Sequence, residues 1–267
     1  MSVEAIKVDR AVRFGCFAGM VECAQLLLSR GRLLAAGEET QMIISHKYEL
    51  IFIKTKKTAG TSIEVLLSQY CGPNDIVTPI HPHVEPHVPR NYRGLFNPIP
   101  EMMLKIRSPV ATAKDLAKRK RFFNHMPASL VKARISRRVW NNYYKFCVER
   151  NPWDKCVSHY YMKKGRCNKN LTFDEYISRG EFPINWPLYC DSNGQIIVDQ
   201  VVYYERLEEE LGELFSQLGI PFAGLGVRAK SEYRPQSADY RTLFTERQRL
   251  IVEEAFRREI ELHGYSF

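Results

Sequence analysis

The chain has 267 residues, 45% hydrophobic and 26% charged, the balance of a soluble globular protein long enough to bury one substantial core. No run approaches the roughly 20 apolar residues that span a bilayer, and the fairly apolar stretch 11–34 is broken by Arg13, Glu22, Arg30 and Arg32 and lacks the layout of a secretion signal. The net charge of +9 attracts polyanions without choosing among nucleic acid, nucleotide and acidic glycan. No nucleic-acid-binding signature accompanies it, and the basic clusters at 118–121 and 134–138 read as solvated helix faces. Seven cysteines (Cys16, Cys23, Cys71, Cys147, Cys156, Cys167 and Cys190) are dispersed without a CxxC pair. That pattern argues against a zinc site or a disulfide framework and suits a reducing compartment.

In chain order, residues 1–41 read as an extension and 42–267 as the main domain. Glu49–Lys54 is a short apolar run rich in branched and aromatic residues, consistent with a buried strand. It leads through Thr55–Ser62 into a helical pattern carried by Ile63, Val65, Leu66, Leu67 and Tyr70, which Gly72-Pro73 stops. From Pro73 to Pro109 the density of Pro, His and Asn predicts a long irregular segment, and 110–140 looks helical and basic. A second strand at Tyr144–Val148 precedes a helix from Asp154 to about Met162. A third strand, Asp199–Tyr204, precedes a helix over Leu207–Leu218, and Thr245–Leu262 has helical periodicity with a stop at Gly264. Strands alternating with helices predict a three-layer α/β domain around a mainly parallel sheet.

Two constellations carry chemistry. After the first strand, a loop entering a helix aims free backbone N–H groups and the positive end of the helix dipole at one point. Lys57 adds charge, Gly60 permits close approach, and Thr61 and Ser62 add hydroxyls, so Lys57-Thr58-Ala59-Gly60-Thr61-Ser62 has the makings of a phosphate cradle. The run does not match GxxxxGK[ST], which weakens a reading as an ATP or GTP hydrolase. The same stretch also fits a plain capped helix, with Thr61-x-x-Glu64 as a capping box. After the second strand comes Arg150-Asn-Pro-Trp-Asp154, with Ser158 one turn on. Arg150 suits bidentate contact with a phosphate, and Trp153 reads as packing. Two phosphate grips on neighbouring strand ends suit a nucleotide phosphorylated at both ends of its ribose.

The loop from Lys57 to Ser62 resembles the 5′-phosphosulfate loop of carbohydrate-type sulfotransferases, PKTGGTS, and Arg150-Asn-Pro-Trp-Asp with Ser158 resembles that family's 3′-phosphate motif, RNPxDxxxS. Residues 199–207 (DQVVYYERL) and 256–267 (FRREIELHGYSF) are similar to its later segments, in family order. Lys56 departs from the usual Pro. The resemblance covers residues 42–267 and implies a single P-loop-like sulfotransferase domain that uses 3′-phosphoadenosine 5′-phosphosulfate and needs no metal. It implies that amides of Thr58, Ala59, Gly60, Thr61 and Ser62 hold the 5′-phosphate, that Lys57 neutralises the leaving oxygen, and that Arg150 and Ser158 hold the 3′-phosphate. His125, in a segment similar to the family's HMPA, is the expected general base, since a histidine is largely neutral at pH 7. Packing at a loop–helix junction is the competing role for it, and Glu64 and Glu85 are the reserve bases.

His81, His83, Glu85 and His87 alternate, so an extended strand would put them on one face. A substrate-contacting loop is preferred there over a metal site, with Arg90, Tyr92 and Arg93 as acceptor contacts. His159 reads as packing or capping. Lys230, Tyr233 and Arg234 resemble a family segment near the nucleotide. The expected acceptor is a carbohydrate hydroxyl and the expected compartment the cytoplasm, with no nucleic-acid partner and no stable membrane insertion. A P-loop-like nucleotide kinase and a non-catalytic binder of nucleotides or anionic glycans are the alternatives. Oligomeric state and acceptor identity are not legible.

Overall fold

A computed structural model describes residues 42–226 and 239–267. The expected extension, residues 1–41, and Lys230, Tyr233 and Arg234 lie outside the described residues. The core element is a five-stranded sheet ordered β3-β1-β2-β4-β5, built from β1 (Ile43–Ser45), β2 (Leu50–Ile53), β3 (Ile76–Val77), β4 (Tyr144–Glu149) and β5 (Gln200–Tyr203). β2, β4 and β5 pair in parallel, with Ile53 opposite Cys147 and Glu149 opposite Tyr203. β1 is antiparallel to both β2 and β3, so every strand except β1 runs the same way and the sheet is mainly parallel.

Both faces of the sheet are covered, because alternate residues of each strand point to opposite sides. Ile44, Ile51, Ile53 and Cys147 face one cluster with Phe122, Met126, Val131 and Trp140. Ile43, Leu50, Phe52, Phe146, Val148 and Val202 face the other with Ile63, Leu67, Leu211 and Phe215. The second cluster is the inner face of α1 (Gly60–Tyr70) and α9 (Leu207–Gln217); the first packs under α4 (Ala128–Arg134) and α5 (Arg137–Asn142). A third cluster joins α6 (Pro152–Arg166), α7 (Phe173–Arg179), α10 (Glu246–Ala255) and α11 (Arg257–His263) through Trp153, Tyr176, Val252 and Phe256.

Three regions differ from the sequence-based expectation. The stretch 73–109 is not wholly irregular: it holds β3 and α2 (Ile99–Met103). The helical region 110–140 divides into α3 (Pro109–Ala117), α4 and α5, with Pro127 and Ser136 at the starts of the last two. The C-terminal pattern is two helices, since the chain turns at Phe256 between α10 and α11. β1, β3 and the short helices α7 and α8 (Trp186–Tyr189) escape the sequence reading because strands of two or three residues and helices of seven and four residues carry too little periodicity.

Candidate active site

The parallel strands β2, β4 and β5 end at one edge, where open α/β sheets bind ligands. The loops leaving them are Lys54–Ala59, Arg150–Asn151 and the 3-10 turn Tyr204–Arg206. The first loop is tightly wound. Lys57 and Ala59 both have φ near +60° (63° and 57°), a left-handed conformation that side chains rarely adopt. His125, at φ 47°, is a third candidate residue in that region. Strained non-glycine residues gather at functional sites, because only surroundings that over-determine them keep them there.

Side chains within the fold dictate this loop. Thr58 is fully buried, and its hydroxyl meets the hydroxyl of Thr55 at 2.7 Å, while Thr55 donates to the carbonyl of Val148 on β4. Asn185 clasps Lys56 on both backbone groups, accepting from its N–H at 2.8 Å and donating to its carbonyl at 3.1 Å. α1 then starts at Gly60 with no side chain capping its amino end, which leaves that end open to an anion. The capping-box expectation for Thr61 and Glu64 therefore fails, since Thr61 is already inside the helix. Instead Lys54 Nζ donates to Thr61 Oγ1 at 3.1 Å and pairs with Glu64 Oε2 at 2.9 Å. Burial holds the Lys54 ammonium below the usual lysine range, partly opposed by Glu64. Gly60 is explained by this lysine: a Cβ there would lie 2.7 Å from Lys54 Cγ, a clash the buried chain cannot relieve. The space above Gly60 that the sequence reading left for a ligand is filled by the Lys54 methylenes.

The second loop reaches the first. Arg150 is buried, stacks on Tyr204 at 4.0 Å, and donates from Nε and Nη2 to Asp154 Oδ2 at 2.7 and 2.6 Å. Its Nη1 donates to the carbonyl of Lys57 at 3.2 Å. Three of the five guanidinium N–H groups are used in this way, leaving one on each Nη. Asn151 caps α6 by accepting from the N–H groups of Trp153 and Asp154, and its Nδ2 donates to the carbonyl of Ser266. Trp153 packs edge-on against Phe267, which ties the C-terminus to this motif. Ser158, half-buried, lies one further turn along α6 from Asp154.

Beneath both loops lies a buried ionic cluster that the sequence reading missed. Lys155 Nζ pairs with Glu149 Oε1 at 2.7 Å and Glu259 Oε1 at 3.3 Å, and all three side chains are fully buried. Glu149 Oε1 also accepts from the backbone N–H of Arg150 at 2.9 Å and from Asn185 Nδ2 at 3.2 Å. Tyr189 donates to Glu149 Oε2 at 3.1 Å. Burial lowers the lysine's pKa, but its two carboxylates outweigh that and leave it raised. Burial also raises Glu259, to about 7, against the pull of Lys155. Glu149 and Lys155 flank the recognisable Arg150-Asn-Pro-Trp-Asp run, so their charge was visible; Asn185 and Glu259 come from elsewhere in the chain, with no local signal.

His125 is brought to the first loop, its Nδ1 3.1 Å from the carbonyl of Lys54. A carbonyl only accepts, so Nδ1 carries the proton of the neutral ring and Nε2 the lone pair. Glu64 is buried in its lysine pair, whereas Glu85 is 82% exposed and 3.5 Å from His83. His81, His83 and Glu85 face solvent while His87 is buried, and no metal-capable group of three is found among the described residues. Arg90 donates to the carbonyls of Cys71 and Gly72, Tyr92 packs on the core, and Arg93 is exposed. His159 meets the Tyr176 hydroxyl at 3.0 Å, and burial, reinforced by Lys163, lowers its pKa to about 3.

Comparison with known proteins bears on the whole domain. An uncharacterized protein of Archaeoglobus fulgidus is 39% identical over 101 residues, 36% of this chain and 84% of that protein. A crystal structure of a sulfotransferase from Alicyclobacillus acidocaldarius is similar at a TM-score of 0.36 and 15% identity, over 81% of this chain and 96% of the other. The model of the "Sulfotransferase family" matches residues 40–266. By that match, which takes in both loops, the chain belongs to the sulfotransferase family and is a transferase of sulfuryl groups.

Proposed function

We propose that the chain moves the sulfuryl group of 3′-phosphoadenosine 5′-phosphosulfate onto a carbohydrate hydroxyl. The observation that carries this reading is the hydrogen bond from Arg150 to the Lys57 carbonyl, which makes one unit of the two anion-binding loops. Amides at the uncapped start of α1, with the Thr61 and Ser62 hydroxyls, receive the 5′-phosphate. The two remaining N–H groups of Arg150, with Ser158, receive the 3′-phosphate.

His125 Nε2 takes the acceptor proton, the acceptor oxygen bonds to sulfur in line, and the bond from sulfur to the phosphate oxygen breaks. Lys57 meets the charge growing on that oxygen. A transferred sulfuryl group carries less charge than a phosphoryl group, so an ammonium and amide donors suffice. The carbohydrate acceptor follows from the likeness of both loops to carbohydrate-type sequences. The cytoplasm suits the cysteines, of which Cys71, Cys147, Cys156, Cys167 and Cys190 are unpaired.

Calorimetric titration with 3′-phosphoadenosine 5′-phosphate and with ADP, both without metal, tests the donor assignment. Preference for the 3′-phosphorylated nucleotide, weakened about 10- to 100-fold in Arg150→Ala, is expected from loss of a charged hydrogen-bond donor. Equal or absent binding would sink the reading and favour a kinase or a non-catalytic binder.

A further inference from the structure

The segment from Val88 to Arg121, between β3 and α4, contains two acidic residues, Glu101 and Asp115. Both turn inward onto one buried arginine: Arg134 meets Glu101 at 2.6 Å and Asp115 at 3.0 Å. The exposed charges of the segment are therefore all positive, on Arg93, Lys105, Lys114, Lys118 and Arg119. Several of its large apolar side chains are turned the opposite way. Helix α2 buries its glutamate against α3 and α4 and presents Ile99, Met102 and Met103 to solvent. Positions i, i+3 and i+4 share one helix face. Leu104 at its end and Val110 at the start of α3 extend the surface, with Met103 77% and Leu104 66% exposed. A helix that buries charge and exposes methionine is inverted for a domain surrounded only by water.

We propose that this segment is a docking surface for an anionic membrane, held peripherally. A second copy would bring like charge against like charge. An acidic glycan would satisfy the lysines and leave the methionine and leucine side chains in water. An anionic bilayer meets both needs: the side chains enter the boundary between headgroups and acyl chains, and each nearby lysine adds attraction to anionic lipid. No helix among the described residues is long and apolar enough to cross the membrane, so the contact is interfacial. This proposal stands apart from the transfer reaction, because none of these residues belongs to the two anion-binding loops.

Co-sedimentation of the full chain with vesicles tests it, comparing phosphatidylcholine alone with phosphatidylcholine containing about one-third phosphatidylserine. Binding is expected only to the anionic vesicles and is released by added salt. The double variant Met103→Glu/Leu104→Glu should weaken it about ten-fold or more, and Lys114→Glu/Lys118→Glu should weaken it similarly. All four positions are solvent-facing, so melting midpoints and titration with 3′-phosphoadenosine 5′-phosphate should match the parent. Vesicle binding that survives both double variants would overturn the proposal. So would absence of vesicle binding, whether with retention on heparin or with a dimer that Met103→Glu/Leu104→Glu dissociates.

Discussion

The loops after β2 and β4 rest on buried charge, whereas the segment between residues 88 and 121 exposes positive charge and buries its two carboxylates on Arg134. Beneath the loops, Glu149, Lys155, Glu259 and Asn185 share hydrogen bonds that end on the backbone of Lys56 and Arg150. In the outer segment, buried charge converges on Arg134, and exposed lysines and methionines cover the rest. The two arrangements answer different needs. The proposed site for a doubly phosphorylated nucleotide requires donors fixed to a fraction of an ångström, and buried hydrogen bonds confer that at a high desolvation cost. A surface that meets a membrane, as proposed for the outer segment, requires chemical character more than fixed geometry.

The comparison breaks most visibly if the ionic cluster is removed. Lys155→Met leaves two buried carboxylates without their cation, so stability should fall by about 3–5 kcal/mol in urea unfolding. An unfolding curve that hardly moved would mean that the loops are held by backbone alone. Exchanging Met103 for Glu in the outer segment should leave that curve in place, which sharpens the contrast.

The active-site variants should divide binding from chemistry. Lys57→Ala is expected to lower kcat about 10²- to 10³-fold, as loss of one donor to a developing charge does. His125→Ala should lower kcat about 10²- to 10⁴-fold, with nucleotide affinity unchanged. His125 meets the first loop at the backbone carbonyl of Lys54, so its replacement removes the proposed proton acceptor without removing a side chain of the loop itself. A parallel fall in nucleotide affinity would assign His125 to packing.

The smallest expected effect is on pH dependence. His159 stays neutral in the fold down to about 3, while in the unfolded chain it takes a proton below about 6.5. Its contribution to stability is therefore complete above that upper value and is lost as pH falls toward the lower one. His159→Phe should flatten the decline in melting midpoint between pH 6.5 and 5. Glu259 acts with the opposite sign: its carboxyl is raised from 4.5 to about 7, so its contribution is lost as pH rises through that window. An unaltered acid limb in the variant would move the decline to other groups.

Legibility follows the range of the physics. The strand at 49–54, the helix over 207–218 and the loop-helix junction after Lys57 were readable because apolar period, turn residues and a helix start are local properties. The capping box at Thr61 misled for the same reason: the local pattern fits, but Lys54, brought alongside by the fold, competes for both Thr61 and Glu64. β1 gains its identity by pairing with β2 and β3, and β3 by pairing with β1, which no short run of residues declares.

By itself, the sequence determined the alternation of strands and helices, the mainly parallel sheet and the two motifs with Lys57 and Arg150, since each is written in neighbouring residues. Tertiary structure alone decided that the Arg150 guanidinium meets the Lys57 carbonyl, 93 residues away, and that Asn185 clasps Lys56. It also turned Glu101 inward and Met103 outward on one short helix. Hydrogen bonds and ion pairs act over a few ångströms in space, whatever the separation along the chain, and a linear pattern records only the latter.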